Sequence, residues 1–155
     1  MKNVLLLGAT GSIGKSVLSV ISQNKESLNL IGISFNKNVL RYQEISEKHS
    51  PDFVYIEDHD SFKSLCSKDK ERYLNGDEEL ERLINRDDVD IIVCATSGFA
   101  GLKTAYIASK TGKKILLANK ESIVAGGDLI LPLAKENNTK IIPIDSEHNA
   151  IFQCL

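Results

Sequence analysis

Short apolar runs separated by amphipathic stretches recur along this 155-residue chain. Most of the runs are apolar throughout, which is typical of parallel strands covered on both faces. In the stretches between them, apolar residues such as Ile13, Val17 and Ile21 fall at helical spacing. The predicted strands are residues 4–7, 28–34, 53–56, 90–95, 114–117 and 140–144. The alternation predicts an α/β fold with a doubly wound, mainly parallel sheet and helices on both faces.

Composition narrows the class of protein further. The chain has the length of one domain, with 42% hydrophobic and 26% charged residues, as in ordinary globular proteins. Its net charge of −2 argues against nucleic acid or an anionic membrane as a partner. The cysteines Cys66, Cys94 and Cys154 are dispersed and odd in number, which favours a reducing compartment. With no apolar run long enough for a signal or a membrane span, the expected location is the cytoplasm.

Two local patterns refine the element boundaries. Asn38 is a good N-cap for a helix over residues 39–49, and Pro51 marks the end of that helix before the next strand. Residues 63–85 are the most polar and least periodic part of the chain. We expect short helices around a charged surface loop there.

A glycine-rich turn follows the first predicted strand and leads into a helix. Its pattern is G-x-x-G-x-x-G, with Gly8 permitting a tight turn, Gly11 a close approach of the backbone to a ligand, and Gly14 close helix packing. Free amides at the start of the helix would meet negative charge. The turn therefore predicts a Rossmann-like site for a dinucleotide pyrophosphate.

The same stretch also satisfies a permissive P-loop pattern. Ala9 lies five residues before Gly14, which is followed by Lys15 and Ser16. Asp145, after a later strand, is in a place to imitate the Mg²⁺-binding aspartate of nucleoside triphosphatases. The strict pattern requires glycine at position 9, and the glycine spacing fits the dinucleotide turn better. A triphosphatase stays as the alternative function from a different class.

The end of the second strand discriminates between coenzymes. In NAD-binding folds an acidic residue about 20 residues beyond the glycines bonds the ribose 2′-hydroxyl. Here the strand ends in Ser34, Phe35, Asn36, Lys37 and Asn38, with no carboxylate. Lys37 and the neutral amides favour a 2′-phosphate. NADPH is therefore predicted in preference to NADH.

Two unusual motifs end the chain, each after a predicted strand: LANKES at 117–122 and PIDSEHNAIFQ at 143–153. If the second motif is extended, Asp145 and Glu147 point to the same side, and paired carboxylates suit Mg²⁺ or Mn²⁺. Taken without their neighbours, the two carboxylates are more typical of a solvated turn or a helix N-cap than of a metal site.

Together, these motifs resemble the 1-deoxy-D-xylulose 5-phosphate reductoisomerase family of the non-mevalonate isoprenoid pathway, from one end of the chain to the other. One departure is Phe35-Asn36, where the family usually has Ala-Gly. The turn and the resemblance together imply contacts to NADPH by these residues: Gly8, Thr10, Gly11, Ser12, Ile13, Gly14, Asn36, Lys37, Asn38, Asn119 and Glu121.

The resemblance also implies the remaining site residues. Lys120 contacts the sugar phosphate, Asp145 and Glu147 bind the metal, and Ser146 and Glu147 face substrate oxygens. Lys120, Ser146 and Glu147 are thus the expected catalytic residues.

The implied reaction is isomerisation and NADPH-dependent reduction of 1-deoxy-D-xylulose 5-phosphate to 2-C-methyl-D-erythritol 4-phosphate by an oxidoreductase that is a homodimer at full length. Residues 1–155 are expected to be its NADPH-binding domain, truncated before the catalytic and C-terminal domains and inactive alone. The start of the chain, directly before a strand, favours the bacterial over the plastid form. A non-catalytic nucleotide-binding module is a further alternative.

Overall fold

Strands and helices alternate through the residues that the structure, a computed structural model, describes, namely 1–66 and 72–154. The strands are β1 Lys2–Leu7, β2 Leu28–Phe35, β3 Phe53–Ile56, β4 Tyr73–Leu74, β5 Ile91–Cys94, β6 Lys114–Leu117 and β7 Lys140–Pro143. The helices are α1 Ser12–Gln23, α2 Val39–His49, α3 His59–Cys66, α4 Asp77–Asn85, α5 Gly98–Ala108, α6 Lys120–Glu136 and α7 Ser146–Gln153.

Within these residues, one parallel sheet has seven strands in the order β4-β3-β2-β1-β5-β6-β7. The chain runs outwards from β1 in one direction and then returns to place β5 on its other side. The carboxyl ends of β1 and β5 therefore form a topological switch point, which is where open α/β sheets bind ligands. The predicted Rossmann-like, doubly wound sheet is confirmed.

The core divides into two layers because successive side chains of each strand point to opposite faces. In β1, Leu5 and Leu7 pack with α4, α5 and α6, whereas Val4 and Leu6 pack with α1 and α2. All four of these side chains are buried. This double burial explains why the strands are apolar throughout, and it fixes β1 in the middle of the sheet.

The local predictions hold with small differences. Asn38 caps α2, its side chain accepting from the Arg41 amide, and α2 ends at His49, followed by Ser50 as the C-cap in the left-handed conformation, just before Pro51. The polar region 63–85 contains the end of α3 and all of α4, as expected, but also the short strand β4, which was not predicted. Residues 67–71 of that region lie outside the described residues.

Pro143 ends β7 without disturbing the sheet. β7 is the border strand beside β6, and pairing continues past the proline, since the Ile144 amide donates to the Leu117 carbonyl. A border position is where a strand tolerates proline. Among the described helices, none combines the length and the apolar character that crossing a membrane requires.

Candidate functional site

The glycine turn after β1 is held against two neighbouring strands. Gly8 has a φ of +89°, and a Cβ atom there would lie 2.7 Å from the carbonyl carbon of Ala95, just beyond β5. Its amide lies 2.9 Å from the hydroxyl oxygen of Ser34, to which it donates, in β2. Only glycine fits this position without strain. The turn is therefore a fixed part of the switch point.

The other two glycines let α1 begin close to the sheet. A Cβ atom at Gly14 would lie 2.5 Å from the carbonyl oxygen of Ala9, so any larger residue would push α1 outwards. Gly11 is the N-cap of α1. In α1, which the structure describes in full, no side chain caps the helix and its first turn has no acidic residue. The amide end of α1 is thus available to an anion.

A cleft of about 240 Å³ opens at this turn, bounded by the ends of β1, β2 and β5. Its walls include Thr10, Gly11, Asn36 and Thr96. The cleft is therefore open beside the glycine turn, where backbone and small polar groups of the kind that a pyrophosphate site requires line it.

Tyr55 and Lys103 also line the cleft. Burial raises the pKa of the Tyr55 phenol far above its ordinary value, with a further contribution from Glu57 beside it, so the phenol stays protonated. Lys103, partly buried, pairs with Asp77. The lining of the cleft thus includes a neutral phenol and a lysine that is already paired with a carboxylate.

Phe35 lines the cleft where the adenosine is expected, but nearly all of its side chain is buried. The ring is 3% exposed and stacks on Tyr42, with ring centroids 4.9 Å apart. Asn36 is exposed and lies outside the left-handed region, so the backbone there does not require the glycine that is usual in the family. The Phe35 side chain, at the position where the family usually has alanine, is therefore accommodated in the core beneath α2.

The loop after β2 presents Asn36, Lys37 and Asn38 to solvent. The Asn38 side chain is used as the α2 cap. The Lys37 ammonium lies 3.5 Å from a carboxylate oxygen of Asp58, which follows β3. Lys37 is therefore the residue of this loop that offers a cation to a ligand.

The P-loop alternative does not agree with the geometry. α1 already begins at Ser12, so that only a short turn lies outside the helix where a P-loop would wrap around phosphates. Lys15 instead lines a groove between α1 and α2. Asp145 follows β7, which is separated from β1 by β5 and β6. A triphosphatase is therefore not supported.

Asn119, from the first C-terminal motif, lies between the wall of the cleft and the start of α6. Its side-chain amide donates to the carbonyls of Thr96 (2.9 Å) and Gly98 (3.3 Å), and its oxygen accepts from the Ser122 amide (3.1 Å). Asn119 is 4% exposed. Asn119 therefore joins the loop after β5, which lines the cleft, to the start of α6.

Beyond Asn119, Lys120, Glu147 and Ser146 form an exposed polar cluster. The Lys120 ammonium lies 3.4 Å from one Glu147 oxygen, and the Ser146 hydroxyl donates to the other at 3.1 Å. The pKa of Glu147 is lowered by its own backbone amide, by Ser146 and by Lys120. The expected catalytic residues are thus brought together. Glu121 is exposed in the first turn of α6.

Asp145 is the N-cap of α7, accepting from both the backbone amide (3.0 Å) and the ring nitrogen (2.9 Å) of His148 at the same oxygen, Oδ1. Burial raises the pKa of Asp145, but the hydrogen bonds from His148 outweigh it and the net pKa is lowered. Because the helix begins at Ser146, the extended geometry assumed for Asp145 and Glu147 was wrong. The helix N-cap is what the structure has.

The metal-binding capacity of this end of the sheet is incomplete. Carboxylate oxygens are the donors that Mg²⁺ and Mn²⁺ prefer. Both hydrogen bonds from His148 end on Oδ1 of Asp145, so they leave its Oδ2 for a metal. No group of three or more His, Cys, Asp or Glu side chains that could hold a metal occurs within residues 1–66 and 72–154. Asp145 and Glu147 therefore have the donor chemistry that these ions prefer, without a complete set of side-chain ligands among the described residues.

A model of the 1-deoxy-D-xylulose 5-phosphate reductoisomerase family matches residues 4–127. This chain belongs to that family. The reductoisomerase of Ruthia magnifica subsp. Calyptogena magnifica is 41% identical over 100% of the chain, which covers 41% of that relative.

Solved reductoisomerase structures agree with the fold throughout. DOX-P reductoisomerase in complex with NADPH, fosmidomycin and magnesium has a TM-score of 0.93 and 38% identity, over 100% of this chain and 39% of that one. The 1-deoxy-D-xylulose 5-phosphate reductoisomerase of Zymomonas mobilis in complex with NADPH has a TM-score of 0.90 and 34% identity, over 99% and 41%. The chain thus spans about 41% of the length of the curated relatives it matches.

Several residues of the reductoisomerase cleft were not found by reading the sequence. They are Ser34, Tyr55, Thr96 and Lys103, which line the cleft, and Asp58, which pairs with Lys37. The rule that sites lie at the carboxyl ends of strands identifies Ser34, Asp58 and Thr96 once the strands are placed. No sequence signal identifies Tyr55 and Lys103, because strand β3 and helix α5 bring them to the cleft from distant parts of the chain.

Proposed function

We propose that this chain is the NADPH-binding part of a 1-deoxy-D-xylulose 5-phosphate reductoisomerase. The observation that carries the proposal is the glycine turn at the switch point, with the uncapped start of α1 beside an open cleft. The family and its NADPH complexes support the same assignment. Thr10, Gly11, Ser12 and Ile13 line the pyrophosphate in this proposal.

The loop after β2 supplies the preference for a phosphorylated ribose. No carboxylate ends β2, and Lys37 with Asn36 and Asn38 is free of the core. Asn119 and Glu121 are assigned to the coenzyme as well. The Asn119 side chain already bonds three backbone groups, so we assign its effect on the coenzyme to holding the cleft wall in place.

For the whole protein, we propose conversion of 1-deoxy-D-xylulose 5-phosphate to 2-C-methyl-D-erythritol 4-phosphate with NADPH in the cytoplasm, by a homodimer. Lys120 holds the sugar phosphate, and Ser146 and Glu147 orient its oxygens. Asp145 and Glu147 hold Mg²⁺ or Mn²⁺, which when bound stabilises negative charge on the substrate oxygens. Since the described residues supply a partial metal site, residues 1–155 alone bind NADPH without turnover.

Isothermal titration of the 155-residue chain with NADPH tests the binding. We expect NADPH to bind and ATP with Mg²⁺ to give no heat; the reverse result would overturn the proposal. Lys37→Met should weaken NADPH about tenfold and leave NADH unchanged, because a charged contact to the 2′-phosphate is lost. Lys25→Met, in an exposed turn after α1, is the matched control and should change neither.

An activity assay tests the wider proposal. A longer native chain with the length of its relatives should oxidise NADPH only with the keto sugar phosphate and Mg²⁺ or Mn²⁺ present. The 155-residue chain should show no oxidation under the same conditions. Failure of the longer chain to act on this substrate would contradict the assigned reaction.

A further inference from the structure

A charged pair joins the ends of β2 and β3 at the edge of the coenzyme site. The Lys37 ammonium lies 3.5 Å from Oδ1 of Asp58. The Lys37 side chain is 75% exposed, whereas that of Asp58 is 21% exposed. The lysine assigned to the 2′-phosphate therefore already has an anionic neighbour.

Asp58 is the fixed member of the pair. Its Oδ2 accepts from the Ser61 amide at 2.9 Å and the Ser61 hydroxyl at 2.8 Å. The strand end before it is also held, because the Glu57 amide donates to the last carbonyl of β2 and Asn75 donates to the last carbonyl of β3. The hydrogen bonds from Ser61, and to a lesser degree Lys37, lower the pKa of Asp58, so it stays ionised at neutral pH. Lys37 is the more exposed and less constrained member of the pair.

A ligand at this place meets both charges. A 2′-phosphate carries close to two negative charges, so it would share Lys37 with Asp58 and be repelled by the carboxylate. A ribose with a free 2′-hydroxyl brings no charge and suffers no such repulsion. A carboxylate beside the ribose therefore weakens NADPH relative to NADH, whichever strand supplies it.

We propose that Asp58 is a specificity-determining residue of the coenzyme site, which holds Lys37 and limits the preference for NADPH over NADH. This inference rests on the proposed dinucleotide function of the cleft. Asp58 takes part from the segment just after β3, one strand away from the position at which NAD-binding folds have their acidic residue.

The test is isothermal titration of the 155-residue chain with NADPH and with NADH at low ionic strength. Asp58→Asn keeps an oxygen for Ser61 and removes the charge, and Asp58→Ser is a second variant whose hydroxyl can still accept from the Ser61 amide. Asp60→Asn, which removes a charge from an exposed position in the same helix, is the control. We expect the ratio of the NADH Kd to the NADPH Kd to rise about two- to fivefold in both Asp58 variants and not in the control.

Further measurements separate the possible results. In a Lys37→Met background the effect of Asp58→Asn should become smaller, because part of it acts through the lysine, and at high salt it should fade. An unchanged or lower ratio in the Asp58 variants would overturn this inference while leaving the proposed function intact. If the unmodified chain binds neither coenzyme, the proposed function fails and this inference fails with it.

Discussion

The coenzyme mouth and the exposed cluster beyond β6 and β7 are built differently. The mouth is formed mainly by backbone atoms. Its glycines lie against the strands beside buried residues, and the start of α1 has no side-chain cap. The cluster is made of side chains, with Asp145 as a helix cap and Lys120 and Glu147 exposed. A site built of backbone is formed by folding itself, whereas a site built of exposed side chains needs further ligands to order it.

Cysteine reactivity gives the largest expected contrast between these regions. Burial raises the pKa of the Cys94 thiol, which ends β5 beneath the mouth, to about 12, whereas Cys154 after α7 is exposed. At pH 8 roughly one Cys94 in ten thousand is ionised, so we expect iodoacetamide to modify it at least about a thousandfold more slowly than Cys154. Peptide mass mapping over time measures both rates.

Urea should abolish this contrast, because unfolding exposes both thiols. If iodoacetamide modified Cys94 and Cys154 of the folded chain at rates within about tenfold of each other, Cys94 would not be protected by a rigid mouth.

The second expected effect is on stability at the glycine turn. Gly8→Ala forces a side chain into a positive φ and against the backbone at Ala95. We expect the free energy of unfolding to fall by about 2–5 kcal/mol and NADPH binding to be lost. Gly127→Ala is the matched control, since its Cβ would make an ordinary contact 3.4 Å from Ile123 in α6. Urea unfolding measures both, and an equal response to the two changes would refute the tight turn.

Substitution of Asn119 should affect stability through both regions, because its side chain bonds the loop after β5 and the start of α6. Asn119→Ala removes the α6 cap and two donors to the loop after β5, so we expect a loss of about 2–3 kcal/mol in the free energy of unfolding. Asn38→Ala, which removes only the α2 cap, should cost about 1 kcal/mol. Parallel urea titrations compare them. A smaller loss for Asn119 than for Asn38 would mean that the loop does not depend on this side chain.

The smallest effect is expected at Glu147. The Glu147→Gln variant should leave the midpoint of urea unfolding unchanged and the NADPH Kd within about twofold, because the ion pair with Lys120 is exposed. Urea unfolding and isothermal titration of the 155-residue chain are the measurements. A shift as large as that of Asn119→Ala would show that the exposed cluster is already part of the folded core.

Sequence reading succeeded where the chemistry is local. The cap of Asn38, the positive φ of the turn at Gly8 and the close helix packing at Gly14 follow from residues close in the chain, and the structure confirms them. It failed where the partner is distant. Strand β4 has only two residues, Tyr73–Leu74, too few for a periodic signal, and it exists because β3 offers an open edge. The extended form assumed around Glu147 failed because the cap of Asp145 begins a helix.

By itself, the sequence determined the alternation of strands and helices, the doubly wound sheet and the glycine turn. Short local patterns are sufficient for this, because a strand buried on both faces is apolar throughout and a tight turn requires glycine. Only the tertiary structure decided that Phe35 lies in the core, that Asn119 ties two loops together and that Asp58 faces Lys37. These contacts join residues from different strands, and strand order, which no local pattern encodes, determines which side chains meet.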